Sequence, residues 1–496
     1  MPSFHILNFG CRASQADGAA IKKQLLESGL QEAEDVAESQ VAILNTCTVT
    51  SRADAEIRQL VRRIHRTNPR CRILVTGCYA QRSPVEIAAM GGVAWVVGNS
   101  HKHVIADLLN PNLRQESGVR SQESEVRSQE SEAGTEPGDR SRRSGPNGQT
   151  DLVQIRQLGA SPTASEQAEN HSPAPAAQPG TPPQPAILVG EISDEFHFAP
   201  VFPDDRTRPT LKIQDGCNAH CSFCVIPSVR GRSRSLAPEK VVEQVLELER
   251  CGYKEIVLSG INLGSYGRDM DRRITFLALL EKLLDETGIA RLRISSLEPM
   301  DVSPALIRLA AGEPRLAQHF HIPLQSGCSR ILRLMNRRYW PSQYAERILA
   351  IREQMPNAGI GADVMVGFPG ETGQDHAANA SFIESLPFTY LHIFPYSARP
   401  HTPAASARQQ VNGRVAHERA QEIRALLAPK RQAFLEAQVG CKLSAITLDE
   451  PNAGEGGALS SNYLKIVLPG SSVPPNTLLE VSVGRVHEGL LFGFPA

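Results

Sequence analysis

Apolar positions along the 496 residues fall into short runs separated by helical patterns, and the runs form three groups. In the first, apolar stretches at 4–9, 41–44 and 72–75 alternate with helical periodicity at 21–28 and 53–67. Strands alternating with helices build a parallel sheet, so residues 1–110 are read as an open α/β domain. In the second group the rhythm repeats with strands expected at 211–213, 255–258, 292–295, 319–323, 362–366 and 390–394, and amphipathic stretches such as 241–249 between them. Six successive β-helix units predict an incomplete parallel (β/α)6 barrel over 200–435, with its site at the C-terminal strand ends. The third group, short runs at 443–448, 463–467 and 479–486 with turn residues between them, predicts a small β-barrel over 436–496. The fold class is α/β.

Between the first two groups the pattern stops. From 112 to 185 only seven of 74 residues are Leu, Ile, Val or Phe, and no Phe, Trp or Tyr occurs between Trp95 and Phe196. So little apolar surface does not offset the ordering entropy. VRSQESE occurs twice in succession, at 119–125 and 126–132, and one apolar position per heptad does not make a coiled coil. Residues 111–190 are therefore expected to be a disordered low-complexity linker with no catalytic role. Lys+Arg 52 against Asp+Glu 53 gives a net charge of -1, so any nucleic-acid contact rests on a local patch. No 18 apolar residues run uninterrupted, and MPSFHILNFGCR lacks the features of an export signal, so the expectation is a soluble, cytoplasmic protein with no membrane partner.

Ten cysteines in so long a chain are too sparse for a disulfide scaffold, and their placement points elsewhere. FHILNFGC ends in Cys11, VAILNTC in Cys47 and RILVTGC in Cys78, so three thiols follow three expected strand ends. In a parallel sheet those ends share one edge, where open α/β folds bind ligands, whereas Cys71 precedes its strand and lacks the pattern. Three converging thiolates suit either zinc with one outside ligand or an iron-sulfur cluster with one open iron. The sharper signal is LKIQDGCNAHCSFCVIP, in which Cys217, Cys221 and Cys224 form C-x3-C-x2-C directly after a strand. Three thiolates on one loop hold three irons of a [4Fe-4S] cube and leave the fourth without a protein ligand. Such an iron chelates the amino and carboxylate groups of S-adenosylmethionine and cleaves it reductively to a 5'-deoxyadenosyl radical.

Polar, glycine-containing segments lie where the barrel rule wants a pocket: SGINLGSYG (259–267), SSLEP (295–299), PLQSG (323–327) and GFPGET (367–372). Gly260, Ser296, Glu298 and Gln325 are the candidate S-adenosylmethionine contacts. Arg58, Arg62 and Arg66 along one helix, and Arg230, Arg232 and Arg234 just after the cysteine loop, are the candidate phosphate contacts. Cys71, Cys251, Cys328 and Cys441 are assigned to packing, and His65, His319 and His321 to structural roles.

NTCTVT, VTGCYAQR, the C-x3-C-x2-C loop, IPLQSGC, LMNRRY, DVMVGFPGET and FPYSARPHTPAA together resemble the radical-S-adenosylmethionine methylthiotransferases over everything except the linker. MNRRY and FPYSARP look most like the branch acting on N6-threonylcarbamoyladenosine at position 37 of tRNA, beside the anticodon. The resemblance implies that Cys11, Cys47 and Cys78 hold an auxiliary [4Fe-4S] cluster and Cys217, Cys221 and Cys224 the radical-generating one. It implies two uses of S-adenosylmethionine, one as methyl donor to sulfur and one as the source of the radical that takes hydrogen from adenine C2. It further implies tRNA, an electron donor and a sulfur source as partners, and an RNA-binding TRAM barrel at the C-terminus. That barrel carries three Lys+Arg against five Asp+Glu over 437–496, a poor footprint for RNA. Two residues depart from the family's blocks: Ser14 stands where Asn is usual, and His401 where Gly is common. Alternative substrates are isopentenyladenosine in tRNA or a ribosomal-protein aspartate. A different class, a non-catalytic iron-sulfur RNA-binding protein or electron carrier, would favour four cysteine ligands over three.

Overall fold

The computed structural model describes residues 3–110, 184–192, 207–449 and 455–496. Most of the expected linker, 111–183, lies outside the described residues. Its last part does not behave as a linker: β6, Ala186–Leu188, adds to the N-terminal sheet beside β5, Val93–Val97. A three-residue apolar run among prolines is enough to form an edge strand once a sheet offers unpaired backbone groups.

That sheet runs in the order β2-β1-β3-β4-β5-β6, all pairs parallel, with β1 Ser3–Asn8, β2 Gln31–Glu32, β3 Val41–Thr46 and β4 Arg72–Gly77. β3 is buried at every position because alternate residues serve two cores. Ala42 and Leu44 pack with Ile57, Val61 and Ile64 of helix α2, Ser51–Thr67, on one face. Ile43 packs with Phe4, Ile21 and Leu25 on the other, where helix α1, Arg12–Glu27, lies. α2 begins at Thr50, whose side chain accepts a hydrogen bond from the Ala53 N–H at 3.2 Å, satisfying one orphan donor of the first turn.

The central region contains six parallel strands, as expected, four of them longer than the expected spans, β10 shifted by one residue and β11 shorter: β7 Thr210–Asp215, β9 Glu255–Gly260, β10 Arg291–Ile294, β11 His319–His321, β12 Gly359–Val366 and β13 Tyr390–Pro395. β8, Arg234–Ser235, pairs antiparallel to β7 at one edge. Single bridges Leu292–Leu316 and Ser296–His321 join β10 to the β11 side, so the arc is continuous from β7 to β13. One core runs beneath it, from Leu211 and Ile213 through Ile256, Leu292 and Ile360 to Ile423.

The C-terminal strands β14 Lys442–Leu448, β15 Glu455–Ser460, β16 Lys465–Pro469, β17 Leu478–His487 and β18 Leu490–Pro495 close into a barrel in the order β14-β15-β16-β18-β17. It sits on the N-terminal strand ends of the central arc. There Glu255, fully buried, accepts from Arg293 at 2.7 Å and lies 3.3 and 3.4 Å from Arg208 and Arg291. Arg293 also donates to the carbonyls of Ser460 and Ser461 at 3.0 Å. Against the cost of burial, these guanidinium groups hold the Glu255 carboxyl down at about 2. Tyr463 of the small barrel stacks on His319 with ring centroids 4.2 Å apart, and its hydroxyl accepts from Arg12 at 3.2 Å. His319 and His321 both hydrogen-bond the Tyr390 hydroxyl, at 2.7 and 3.2 Å, so they belong to this packing and not to a ligand set. Among the described residues no helix is long and apolar enough to cross a membrane.

Candidate active site

Cys11, Cys47 and Cys78 directly follow the C-terminal ends of three adjacent parallel strands, β1, β3 and β4, or lie within three residues of them. The sheet therefore brings together the thiols that the strand endings single out. Two glycines make this possible. Gly10 has φ +102°, and a Cβ there would sit 2.4 Å from Cys47 Cβ; Gly77 has φ +97°, and a Cβ there would sit 2.3 Å from the Thr46 carbonyl oxygen. Burial first, then the neighbouring Cys78 and Cys11, pushes the Cys47 thiol up to about 12. Cys11 Sγ is 3.7 Å from Ser14 Oγ, while Cys78 Sγ receives Asn99 Nδ2 at 3.5 Å and Arg230 Nε at 3.3 Å. A cavity of about 340 Å³ opens beside Cys11 and Cys47, bounded by Gly10, Val49 and Thr50.

The second triplet follows β7. Gly216, with φ +70°, has no room for a Cβ, which would fall 1.9 Å from the Arg232 carbonyl oxygen, and it turns the chain into the loop of Cys217, Cys221 and Cys224. Backbone N–H groups of Ala219 and Ile226 point at Cys217 and Cys224 Sγ, at 3.3 and 3.5 Å, and Arg337 Nη1 lies 3.4 Å from Cys221 Sγ. Burial, with Cys221 and Cys217 nearby, pushes the Cys224 thiol up to about 12. Each sulfur of this loop has at least one N–H donor suited to a thiolate, and since burial holds the proton on the free thiol it is metal binding that would displace it. Among the described residues no three His, Cys, Asp or Glu side chains close around a single ion. A four-iron cube gives each thiolate its own iron and sets its cysteines farther apart than one ion does. All six cysteines are unpaired, and their donor sets fit that larger group.

A cavity of about 360 Å³ lies over Cys221, bounded by Asn218, Asn262, Glu298, Asn336 and Arg337. Of the four candidate contacts only Glu298 lines it, its carboxylate paired with Arg337 and its pKa raised by burial against that pairing. Gly260 instead makes room for Gln214, which holds the carbonyls of Asp215 and Gly216 at 2.9 and 2.8 Å and receives the Asn262 N–H at 2.8 Å. Ser296 is exposed at the strand bridge. Gln325 is buried with φ +61°, and its Oε1 has no partner among the described residues. Gln214, Asn262 and Arg337 escaped the sequence reading, although Arg337 stands inside the MNRRY block and Asn262 inside SGINLGSYG.

The two triplets adjoin. Val225 and Val229, from the turn after Cys224, pack against Cys78, and Asn99 donates to the Val229 carbonyl at 2.7 Å. The expected basic cluster behaves differently from its sequence reading: Arg232 is exposed, but Arg230 is buried and ion-paired to Asp17 and Asp215, which leaves it nothing for a phosphate. Arg58 is likewise engaged, by the Tyr79 hydroxyl at 3.0 Å and Glu86 at 3.1 Å. Cys328 donates to Asp375 at 3.2 Å, in keeping with a packing role.

Two family models each match a part of the chain. The family model described as uncharacterized protein family UPF0004 matches residues 3–98, and that of the radical SAM superfamily matches residues 211–383. The chain is 33% identical over 462 residues to threonylcarbamoyladenosine tRNA methylthiotransferase MtaB of Aquifex aeolicus, covering 92% of this chain and 94% of that protein. It is 32% identical to MtaB of Bacillus subtilis, covering 97% and 93%, and 29% identical to tRNA-2-methylthio-N(6)-dimethylallyladenosine synthase of Pelotomaculum thermopropionicum, covering 92% and 89%. Among solved structures, the radical S-adenosylmethionine methyltransferase TsrM from Kitasatospora setae aligns with TM-score 0.52 at 11% identity over 86% of this chain and 89% of that one, a likeness of fold.

Proposed function

This chain belongs to the radical-SAM methylthiotransferases of the MtaB type, and from that premise we propose that it converts N6-threonylcarbamoyladenosine at position 37 of tRNA to its 2-methylthio derivative. The enzyme class is that of a radical-SAM tRNA methylthiotransferase using S-adenosylmethionine and iron-sulfur clusters. Within it, residues 1–110 would carry an auxiliary [4Fe-4S] cluster on Cys11, Cys47 and Cys78, and residues 200–435 the radical cluster on Cys217, Cys221 and Cys224; residues 436–496 would be the TRAM-like barrel. The observation that carries the reading is the packing of Val225 and Val229 on Cys78, which sets two thiol triplets side by side in one body.

When bound, the clusters and S-adenosylmethionine supply the adenosyl radical and the sulfur and methyl that are transferred. The chain's own residues do the rest. Arg337 donates to the Cys221 sulfur and fixes Glu298, which leaves a carboxylate on the cavity wall to receive hydroxyl or ammonium donors of a nucleoside or amino acid. Asn218, Asn262 and Asn336 add neutral donors and acceptors around the same space. For the base, MtaB proteins align at 33% and 32% over 92% and 97% of this chain, whereas dimethylallyladenosine synthases align at 29% over 92% or at 35% over only 59%, and this end-to-end likeness supports the threonylcarbamoyl substrate.

The test is mass spectrometry of tRNA nucleosides from cells with and without the gene, beside iron and sulfide quantification of the anaerobically purified protein. Loss of the 2-methylthio form with its threonylcarbamoyl precursor accumulating, and about eight irons per chain, is the expected result. Loss of the methylthio form of isopentenyladenosine instead would move the chain to the other tRNA substrate, and unchanged tRNA would refute both.

A further inference from the structure

Arg230 is the last residue of the short helix Ile226–Arg230, six positions beyond Cys224, and only 2% of its surface is exposed. Every donor of its guanidinium is used. Nε donates to Cys78 Sγ at 3.3 Å, Nη1 to both Asp215 oxygens at 2.9 and 3.1 Å, and Nη2 to Asp17 Oδ2 at 2.9 Å and Ser14 Oγ at 3.4 Å. Cys78, Asp17 and Ser14 come from the N-terminal sheet and α1, whereas Asp215 ends β7, two residues before Cys217. One side chain thus grips a thiol of the first triplet and the root of the second.

The charges around it are uneven. Lys102 and Lys212 both pair with Asp17, and Lys212 also pairs with Asp215 at 2.8 Å. With Arg230, three cations gather around the two carboxylates beside the Cys78 sulfur. A guanidinium does not deprotonate in a protein, so Arg230 stays charged beside the sulfur.

We propose that Arg230 is a positioning residue for the N-terminal cysteine site, holding the Cys78 sulfur in place and raising the reduction potential of the cluster it ligates. The proposal rests on the reading that Cys11, Cys47 and Cys78 hold a cluster. A fixed cation with an N–H···S bond favours the more negative, reduced state, and hydrogen bonds to sulfur are among the levers that set cluster potentials. Lysine cannot replace it, because an ammonium has three donors and no planar fork to span two carboxylates and a sulfur.

The experiment uses the full chain with Cys217, Cys221 and Cys224 changed to Ala, so that only the N-terminal site loads, and reads iron per chain and the midpoint of an anaerobic EPR-monitored redox titration. Arg230→Gln is expected to move the midpoint negative by about 59 mV, a tenfold loss in the reduced-to-oxidised ratio for one electron. Arg230→Lys should recover part of that shift. Asp17→Asn removes a neighbouring anion and should move the midpoint the opposite way, which a purely structural clamp would not do, and it decides the matter if Arg230→Gln fails to load iron. Unchanged midpoints in both Arg230→Gln and Asp17→Asn overturn the proposal. A parent that binds no iron overturns the ligand assignment beneath it, and the two failures are told apart by that iron count.

Discussion

The glycines before the cysteines give a sharp test of how the site is built, and Gly77 is the best placed. Its φ of +97° and ψ of -162° lie in a region that essentially only glycine occupies, at a cost of about 1–3 kcal/mol for any other residue. In Gly77→Ala the new Cβ would also meet the Thr46 carbonyl oxygen at 2.3 Å and the Thr46 nitrogen at 2.7 Å. Both are backbone atoms of a strand hydrogen-bonded on each side, so β3 or β4 must move, adding about 1–3 kcal/mol of overpacking. The sum, about 2–6 kcal/mol, falls on the residue that aims Cys78. Gly252→Ala is the control: its φ is +90°, but no atom lies within 4 Å of the added methyl, so only the backbone strain of about 1–2 kcal/mol remains. The assay is iron per chain after anaerobic purification, beside urea unfolding followed by tryptophan fluorescence, which Trp95 on β5 reports from the sheet in question. Gly77→Ala should fall from about eight irons to about four and lose stability in the Trp95 signal, whereas Gly252→Ala keeps its iron. Equal iron and equal stability in the two variants would refute the claim that backbone crowding at Gly77 places the thiol.

Other outcomes follow from the same contacts. Cys221→Ala should abolish S-adenosylmethionine cleavage and leave about four irons per chain; cleavage that survives would refute the assignment of the radical cluster to this loop. Arg337→Gln removes the donor on Cys221 and the partner of Glu298, and should raise KM for S-adenosylmethionine about tenfold in a cleavage assay, as loss of a hydrogen bond to a charged group does. Glu255→Gln leaves three arginines without their carboxylate and should cost about 3–5 kcal/mol at neutral pH, measured as a urea midpoint. Because the folded pKa of Glu255, about 2, lies below its ordinary 4.5, the parent's advantage is complete above 4.5 and shrinks as pH falls toward 2; a gap independent of pH would contradict the pairing. His401 has φ +65°, so His401→Gly relieves left-handed strain and should stabilise the fold by up to about 1 kcal/mol in thermal unfolding, net of the flexibility glycine adds to the unfolded chain.

The sequence reading reached furthest where periodicity and chemistry coincide. All six central strands and the placement of both thiol triplets at strand ends were legible, because apolar runs ending in Gly-Cys or Thr-Cys mark a strand edge and a thiol together. β15 was missed because GEGGALS has too many glycines to show alternation, and β6 because three apolar residues among prolines make no period. The buried role of Arg230 was not legible either. Its partners Asp17 and Ser14 lie 213 and 216 residues away, and an arginine in a basic run looks the same whether it faces phosphate or fills a core. The site contacts failed for a related reason: a Gly-rich turn such as SGINLGSYG announces that backbone comes close to something, and at Gly260 that neighbour is the Gln214 side chain, while Asn262 two residues on faces the cavity.

The C-terminal barrel acquires a role from its position that its charge alone does not suggest. Glu255, Arg291, His319 and Tyr390 are the first residues of their strands, so the surface they form is the end of the arc opposite the loop of Cys217, Cys221 and Cys224. The small barrel covers that end through the carbonyls of Ser460 and Ser461 on Arg293, the Ser444 hydroxyl on Arg291 and the Tyr463 ring on His319. It thereby supplies acceptors to guanidinium groups that would otherwise be half-satisfied where water is excluded. Through its hydroxyl Tyr463 also holds Arg12, the residue directly after Cys11. A barrel with few cations therefore has a use that needs no phosphate: it completes the floor of the radical domain and anchors the chain beside the first thiol. Nearer the open end, Arg232 is exposed and Arg338 lines the cavity over Cys221, whereas Arg268 is taken by Asp301, and we propose those first two as the cations that would meet a tRNA backbone.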